Sequence, residues 1–182
     1  FLERLCANRV PTKAGGIVLS QMLTEKGGIE SEATIACLAE NHYYLLSAAV
    51  AELHDFDWLV QHIQKGEGVS VTNVTEDFGV LLLTGPLSRD VLSILTETNL
   101  GNESGFTWMR AREISVSGIP VRALRVSYVG ELGWELHCPM PRLAELYDAL
   151  MKAGESHGIR RFGTYAMNSL RMEKAYKGWG SE

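Results

Sequence analysis

The chain has 182 residues, of which 46% are apolar and 21% charged, so it can bury a proper core and has the composition of an ordinary globular protein. Its formal net charge is -5 and it has no run of lysine or arginine, which argues against nucleic acid and anionic membranes as partners. No apolar stretch approaches the ~20 residues of a membrane helix, and no signal peptide is visible.

The first part of the chain predicts an antiparallel sheet followed by a helix. Residues 17–24 and 29–38 are expected to form two strands, joined by a hairpin turn at residues 25–28 (EKGG). In the second strand apolar and polar side chains alternate, which predicts one buried and one polar face. A third strand is expected at residues 43–48, and a helix at residues 50–64, where apolar side chains recur near helical spacing.

The rest of the chain predicts two further groups of strands, each followed by helices. Strands are expected at residues 69–74 and 79–83, and Gly85-Pro86 is expected to begin a helix because proline is tolerated in the first turn. The remaining elements are expected in this order: two strands around a turn within residues 113–128, a strand at 133–138, a helix from Pro141 to near Gly158, and a helix at about 164–176.

This order of elements predicts an α+β fold. Short turns between consecutive strands imply antiparallel pairing, with helices packed on the sheets. No low-complexity linker divides the chain, so residues 1–182 are expected to form a single domain. The chain begins at Phe1 without a methionine and stops after KGWGSE, so we expect it to be a piece of a longer polypeptide, truncated at both ends.

The sequence lacks the short motifs that mark common cofactor and nucleophile sites. It has no GxGxxG, P-loop, GxSxG or HExxH pattern, and its five histidines are scattered. Cys6, Cys37 and Cys138 are far apart, which is typical of reduced cytosolic thiols and not of a disulfide frame or a zinc site. We therefore expect a cytoplasmic protein with no metal site.

The segment YVGELGWE, from Tyr128 to Glu135, is the first candidate site. Gly130 and Gly133 allow a sharp turn, because glycine accepts backbone angles that other residues avoid. The turn leaves an aromatic ring at one end and a carboxylate at the other, which suits a flat heterocycle with two N–H donors on its edge. The same residues fit a plain hairpin with a packed tyrosine and a solvated glutamate.

Glu32 is the second candidate. It follows Gly27-Gly28 on the polar face of a predicted strand, two residues after Glu30. One interpretation is a solvated strand face, the default for such alternation. The other is an acid beside a bound nitrogenous ligand, which protonates or orients an amine during one-carbon transfer.

Four segments together resemble one family, the folate-binding aminomethyltransferase domain seen in the T-protein of the glycine cleavage system. The segments are GGIESEATI (27–35), LLLTGPLSRDVL (81–92), SGIPVRALRVSYVGELGWEL (117–136) and GIRRFGTYAMNSLRMEKAY (158–176). The resemblance runs in register over nearly the whole chain. The phrase LRMEKAYKGWGSE is most similar to the C-terminal folate domain of dimethylglycine and sarcosine dehydrogenases.

The resemblance implies a function and its cofactors. In such dehydrogenases a flavin (FAD) domain, here expected upstream in the same polypeptide, oxidises an N-methyl amine. The folate domain then takes up the one-carbon unit on tetrahydrofolate. Tyr128 is implied to contact the pterin, and Glu135 to bind its 2-amino and ring N–H edge. Glu32 is implied to be the catalytic acid near the reacting nitrogens.

The chain also departs from the family pattern. Glu32 stands where the family usually carries an aspartate, Ala36 where glycine-cleavage proteins have a tyrosine, and Met167 where they have an arginine. The differences at Ala36 and Met167 argue against glycine cleavage itself and leave the glutamate tail of folate without one expected cation. Two alternatives stay open: a folate-dependent demethylase, and a non-catalytic folate-binding or regulatory module. A relative in iron–sulfur assembly carries a KGCY-type motif, whereas this chain has KGWG at residues 177–180.

Overall fold

A computed structural model describes residues 1–180 of the chain, so residues 181–182 at the end of the phrase KGWGSE lie outside the described residues. The chain divides into two compact units, one from Phe1 to Val74 and one that begins at Thr75. Each unit contains an antiparallel sheet and helices, which confirms the predicted α+β class. The single domain over residues 1–182 stays a prediction. Within residues 1–180, no helix has the length and apolarity needed to cross a membrane.

The elements of the first unit are α1 (Leu2–Leu5), β1 (Ile17–Leu23), β2 (Ile29–Ala39), β3 (His42–Leu46) and α2 (Glu52–Gln61). The strands form a three-stranded sheet in the order β1-β2-β3. The predicted hairpin is confirmed, and Gly27 in its turn has a positive φ of 80° that suits glycine. The alternation of β2 buries Ala33 and Ile35, whereas Ile29 at its start is 52% exposed.

The prediction of a strand at residues 69–74 is wrong. These residues are not in a strand, although valines alternate there with polar residues. Alternation predicts a strand only where a neighbouring strand offers its backbone for pairing. Here the side chain of Asn73 instead donates a hydrogen bond of 2.6 Å to the Glu52 carboxylate.

His54 in α2 lies between two carboxylates of the first unit. Its Nε2 is 2.9 Å from Glu30 Oε1, and its Nδ1 is 3.0 Å from Asp55 Oδ1. These contacts, with Asp55 first and Glu30 second, raise the pKa of His54 above its usual value. The stability that the charged ring contributes is therefore fully present below about pH 6.5 and is lost as the pH rises through the raised folded pKa.

We expect His54→Gln to remove this pH-dependent contribution. Because the ring is about half exposed, solvent screening limits the loss in free energy of unfolding to about 0.2–1 kcal/mol. Urea unfolding below and above the titration range measures it, with His157→Gln as the control. A His54→Gln protein that keeps the full wild-type pH dependence would contradict the assignment.

The elements of the second unit are β4 (Phe78–Thr84), α3 (Ser88–Ser93), β5 (Ala111–Val116), β6 (Ile119–Leu124), β7 (Gly133–Pro139), α4 (Leu143–Gly154) and α5 (Thr164–Glu173). The strands form a four-stranded antiparallel sheet in the order β4-β7-β6-β5. The inner strand β7 contributes Trp134, Leu136 and Cys138 to the core, and α4 packs Leu146 and Leu150 against the same core.

The predicted strand pair within residues 113–128 is confirmed, but its second strand ends at Leu124. The Val126 amide donates to the Leu124 carbonyl at 2.9 Å, which bends the backbone away from the sheet. Tyr128 therefore lies in the bend after β6 and not on a strand face. Glu135 lies within β7, as predicted.

Candidate functional site

The turn between Tyr128 and Glu135 is attached to the end of β4 and the start of α3. The Leu132 carbonyl accepts three hydrogen bonds, from the Gly85 amide at 2.8 Å, the Ser88 hydroxyl at 3.0 Å and the Thr84 hydroxyl at 3.3 Å. The Gly85-Pro86 junction therefore holds the turn in one position.

Two glycines permit the close packing of this turn. Gly130 has a positive φ of 75°, and a Cβ added there would lie 2.2 Å from Lys174 Cγ. A Cβ at Gly133 would lie 2.7 Å from the backbone oxygen of Leu83. Both positions require glycine, since a side chain would push the turn away from its neighbours. The predicted sharp turn is present, and its tight packing follows from these contacts.

Tyr128 packs against a buried arginine. The Arg171 guanidinium lies 5.8 Å from the centre of the tyrosine ring, a cation–π contact. Arg171 is itself held by Asn168 Oδ1 at 3.1 Å and by the Tyr176 carbonyl at 2.7 Å. One face of the half-buried ring is thus fixed by α5 and the residues that follow it. Arg171 orients Tyr128, a role that the pattern of the sequence did not indicate.

Glu135 lies in the middle of the sheet, where its backbone pairs with Leu82 of β4 and Leu124 of β6. Its side chain is 24% exposed. Within residues 1–180, its carboxylate forms an ion pair with the buried His137, at 3.5 Å. The carboxylate is therefore held on a rigid strand and keeps acceptor capacity for two N–H donors.

Glu32 lies in β2 of the first unit, half-buried. Its Oε2 accepts a hydrogen bond of 2.6 Å from Gln21 Nε2, and the two residues face each other across the β1–β2 pair. This bond engages Oε2 and leaves Oε1 without a hydrogen-bond partner within residues 1–180. Tyr128 and Glu135 belong to the second unit, whereas Glu32 belongs to the first.

A cavity of about 350 Å³ opens beside the turn of the second unit. Arg125 lines it together with Trp108, Tyr176 and residues 130–132. The Arg125 guanidinium stacks 4.8 Å from the ring centre of Trp134. Sequence analysis missed Arg125 because it follows the apolar end of β6 with no periodic pattern of its own.

Comparison with known proteins agrees with this architecture. The model of the GCVT N-terminal domain matches residues 1–182. Glycine cleavage system aminomethyltransferase T from Bartonella henselae has a similar structure, with a TM-score of 0.78 and 25% identity over 97% of this chain and 45% of that one.

Two curated relatives match over the whole chain. Dimethylglycine dehydrogenase, mitochondrial, of Homo sapiens is 43% identical, and the chain covers 21% of its length. Pyruvate dehydrogenase phosphatase regulatory subunit, mitochondrial, of Mus musculus is 31% identical, and the chain again covers 21% of its length. The fold is that of an aminomethyltransferase-type domain. The chain belongs to the GCVT N-terminal domain family, which confirms the resemblance stated from the sequence.

Proposed function

We propose that this domain binds tetrahydrofolate through Tyr128 and Glu135. The observation that carries the proposal is the Glu135 carboxylate, which is fixed on an inner strand and partly exposed, and whose ion pair within residues 1–180 is a long contact to His137. This acceptor fits the 2-amino and ring N–H edge of a pterin, which offers two parallel donors. The Tyr128 ring, held by Arg171, offers an aromatic surface for the flat heterocycle.

We further propose that the domain takes part in one-carbon transfer from an N-methyl amine, beside an upstream FAD domain in the same polypeptide. The identity with dimethylglycine dehydrogenase supports this proposal. When bound, tetrahydrofolate supplies the nitrogens that take up the one-carbon unit. Glu32 holds a proton at Oε1 and delivers it to an amine nitrogen. No residue of this chain is assigned to FAD, and the cytoplasmic location stays a prediction.

The binding proposal is tested by Glu135→Gln. Glutamine keeps the shape of the side chain but loses the charge and presents an NH₂ group to the N–H edge of the pterin. We expect the affinity for tetrahydrofolate to fall about 10- to 100-fold, the effect of losing charge-assisted hydrogen bonds. Isothermal titration calorimetry on the full-length protein measures the dissociation constant.

Glu113→Gln is the matched control, because Glu113 pairs with Arg122 on β5 and β6. This variant is expected to bind tetrahydrofolate like the wild type. Equal affinity of the Glu135→Gln and wild-type proteins would remove Glu135 from the binding site. Absence of tetrahydrofolate binding by the folded wild-type protein would overturn the proposed function.

A second candidate is a non-catalytic folate-binding or regulatory module. The 31% identity with a phosphatase regulatory subunit over the whole chain supports it. Such a module binds tetrahydrofolate but forms no product from a methylated amine. An assay of methylenetetrahydrofolate formation by the full-length protein separates the two functions.

A further inference from the structure

Arg125 and Arg89 of the second unit repel each other, and neither has an acidic partner within residues 1–180. Arg125 is only 8% exposed, and its Nε has no hydrogen-bond partner within residues 1–180. The hydrogen bond that its side chain makes within the described residues is a long one, 3.4 Å from Nη1 to the Gly133 carbonyl. The buried Nε of Arg89, on α3, also lacks a hydrogen-bond partner in the described part of the chain.

The burial of the Arg125 charge is unfavourable for the domain without a ligand. A guanidinium keeps its charge at any ordinary pH, so burial without a counter-charge costs free energy. Burial, and secondly the charge of Arg89, lower the pKa of Arg125. By contrast, Arg142 of the same unit is paired with Glu145 at 2.6 Å. An anion bound beside Arg125 supplies the missing counter-charge.

The cavity beside Arg125 has room for such an anion. Its volume of about 350 Å³ is in the range of small-molecule sites, roughly 300–1,000 Å³. Trp108 and Tyr176 line it with aromatic surface, which favours an anion attached to an organic body. Glu131 also contributes to the lining, but its side chain is exposed and no ion pair joins it to Arg125 within residues 1–180.

We propose that this cavity is a carboxylate-binding site, in which Arg125 donates to the carboxylate of a small organic ligand and the charge of Arg89 adds to the attraction. A planar guanidinium matches a carboxylate with two parallel N–H donors. The carboxylate has two chemical sources, the glutamate tail of a folate and a free N-methylated amino acid. The first source rests on the proposed binding of tetrahydrofolate, and the second requires only a free carboxylate beside Arg125.

Two pairs of probes test the site by calorimetry on the full-length protein. The first pair is 5-formyltetrahydrofolate and the amide of 5-formyltetrahydropteroic acid, which lacks the glutamate and has no carboxylate. The second pair is N,N-dimethylglycine and N,N-dimethylethanolamine, which lacks the carboxylate. In at least one of the two pairs, we expect the compound that carries the carboxylate to bind more tightly than its counterpart. Arg125→Met is expected to lower the affinity for that compound about 10- to 100-fold and to leave the affinity for its counterpart unchanged.

Variants and controls separate recognition from folding. Arg125→Met keeps an apolar side chain against Trp134, and thermal unfolding verifies its fold. If it does not fold, Arg89→Gln on α3 takes its place, with an expected loss of several-fold for the same probe. Arg142→Gln is the control, because that arginine is already paired with Glu145 and does not line the cavity.

The outcomes distinguish this proposal from the proposed function. A response in the folate pair identifies the glutamate tail, and a response in the dimethylglycine pair identifies a free amino acid. If neither folate probe binds but the dimethylglycine pair responds, the proposed function fails and the carboxylate site stands. Equal affinities within both pairs, or binding of inorganic phosphate in preference to either carboxylate, overturn the carboxylate site.

Discussion

Glu32→Gln is expected to slow the formation of methylenetetrahydrofolate by about 10²- to 10⁴-fold, the range for loss of a general acid. Glutamine is close to the same size and can still hydrogen-bond to Gln21, so the β1–β2 pair is preserved. It cannot release a proton from Oε1. Because the substitution removes only the acid, we expect the affinity for tetrahydrofolate to stay close to that of the wild type. Single-turnover kinetics and calorimetry measure the rate and the affinity separately.

Glu30→Gln is the matched control for Glu32. Both carboxylates belong to β2 and share one strand face, but Glu30 pairs with His54 and has no assigned role in transfer. Its variant is expected to form product at the wild-type rate. An unchanged rate for Glu32→Gln, in an enzyme that forms product, would show that Glu32 is not the acid. Loss of tetrahydrofolate binding in Glu32→Gln would instead make Glu32 a binding residue.

Trp134→Ala is expected to lower the free energy of unfolding by about 3–5 kcal/mol, the usual cost of removing a large aromatic side chain from a core. Trp134 is 1% exposed and packs edge-on against Phe106, with ring centres 6.3 Å apart. Its ring also packs against the Arg125 guanidinium, which loses this aromatic partner in the variant. Urea unfolding followed by far-ultraviolet circular dichroism measures the change without depending on tryptophan fluorescence.

The control for this prediction is Trp108→Ala, which removes the same side chain from a half-exposed position. Because little burial is lost there, we expect a change below about 1 kcal/mol. Similar losses in the two variants would contradict the assignment of Trp134 to the centre of the core. Such a result would mean that the sheet of the second unit is stabilised mainly by other contacts.

Patterns local in the sequence predicted the fold well where the structure depends on neighbouring residues. The β1–β2 hairpin and the β5–β6 pair were predictable because their turns contain glycine and their strands alternate or are apolar. The segment at residues 69–74 shows the limit of this reasoning. Its alternation was genuine, but whether a strand forms depends on a partner strand, which is not encoded nearby.

The candidate site was predictable in part for the same reason. Glu135 could be assigned to a strand, whereas Tyr128 was placed on a strand that ends four residues earlier. Arg125 and Arg171 were missed because both are buried by tertiary contacts, with Trp134 and with Tyr128 respectively. Buried arginines carry no periodic signal, since a charged residue in a sequence predicts exposure.

The three hydrogen bonds on the Leu132 carbonyl restrict how this domain can diversify. An inserted or deleted residue between Tyr128 and Glu135 moves that carbonyl away from its three donors and leaves buried polar groups without partners. Ligand preference can therefore change by substitution of side chains around a turn of constant length. Changing it by insertion or deletion in the turn is far more disruptive to the fold. The length of the turn thus fixes the spacing between the Tyr128 ring and the Glu135 carboxylate.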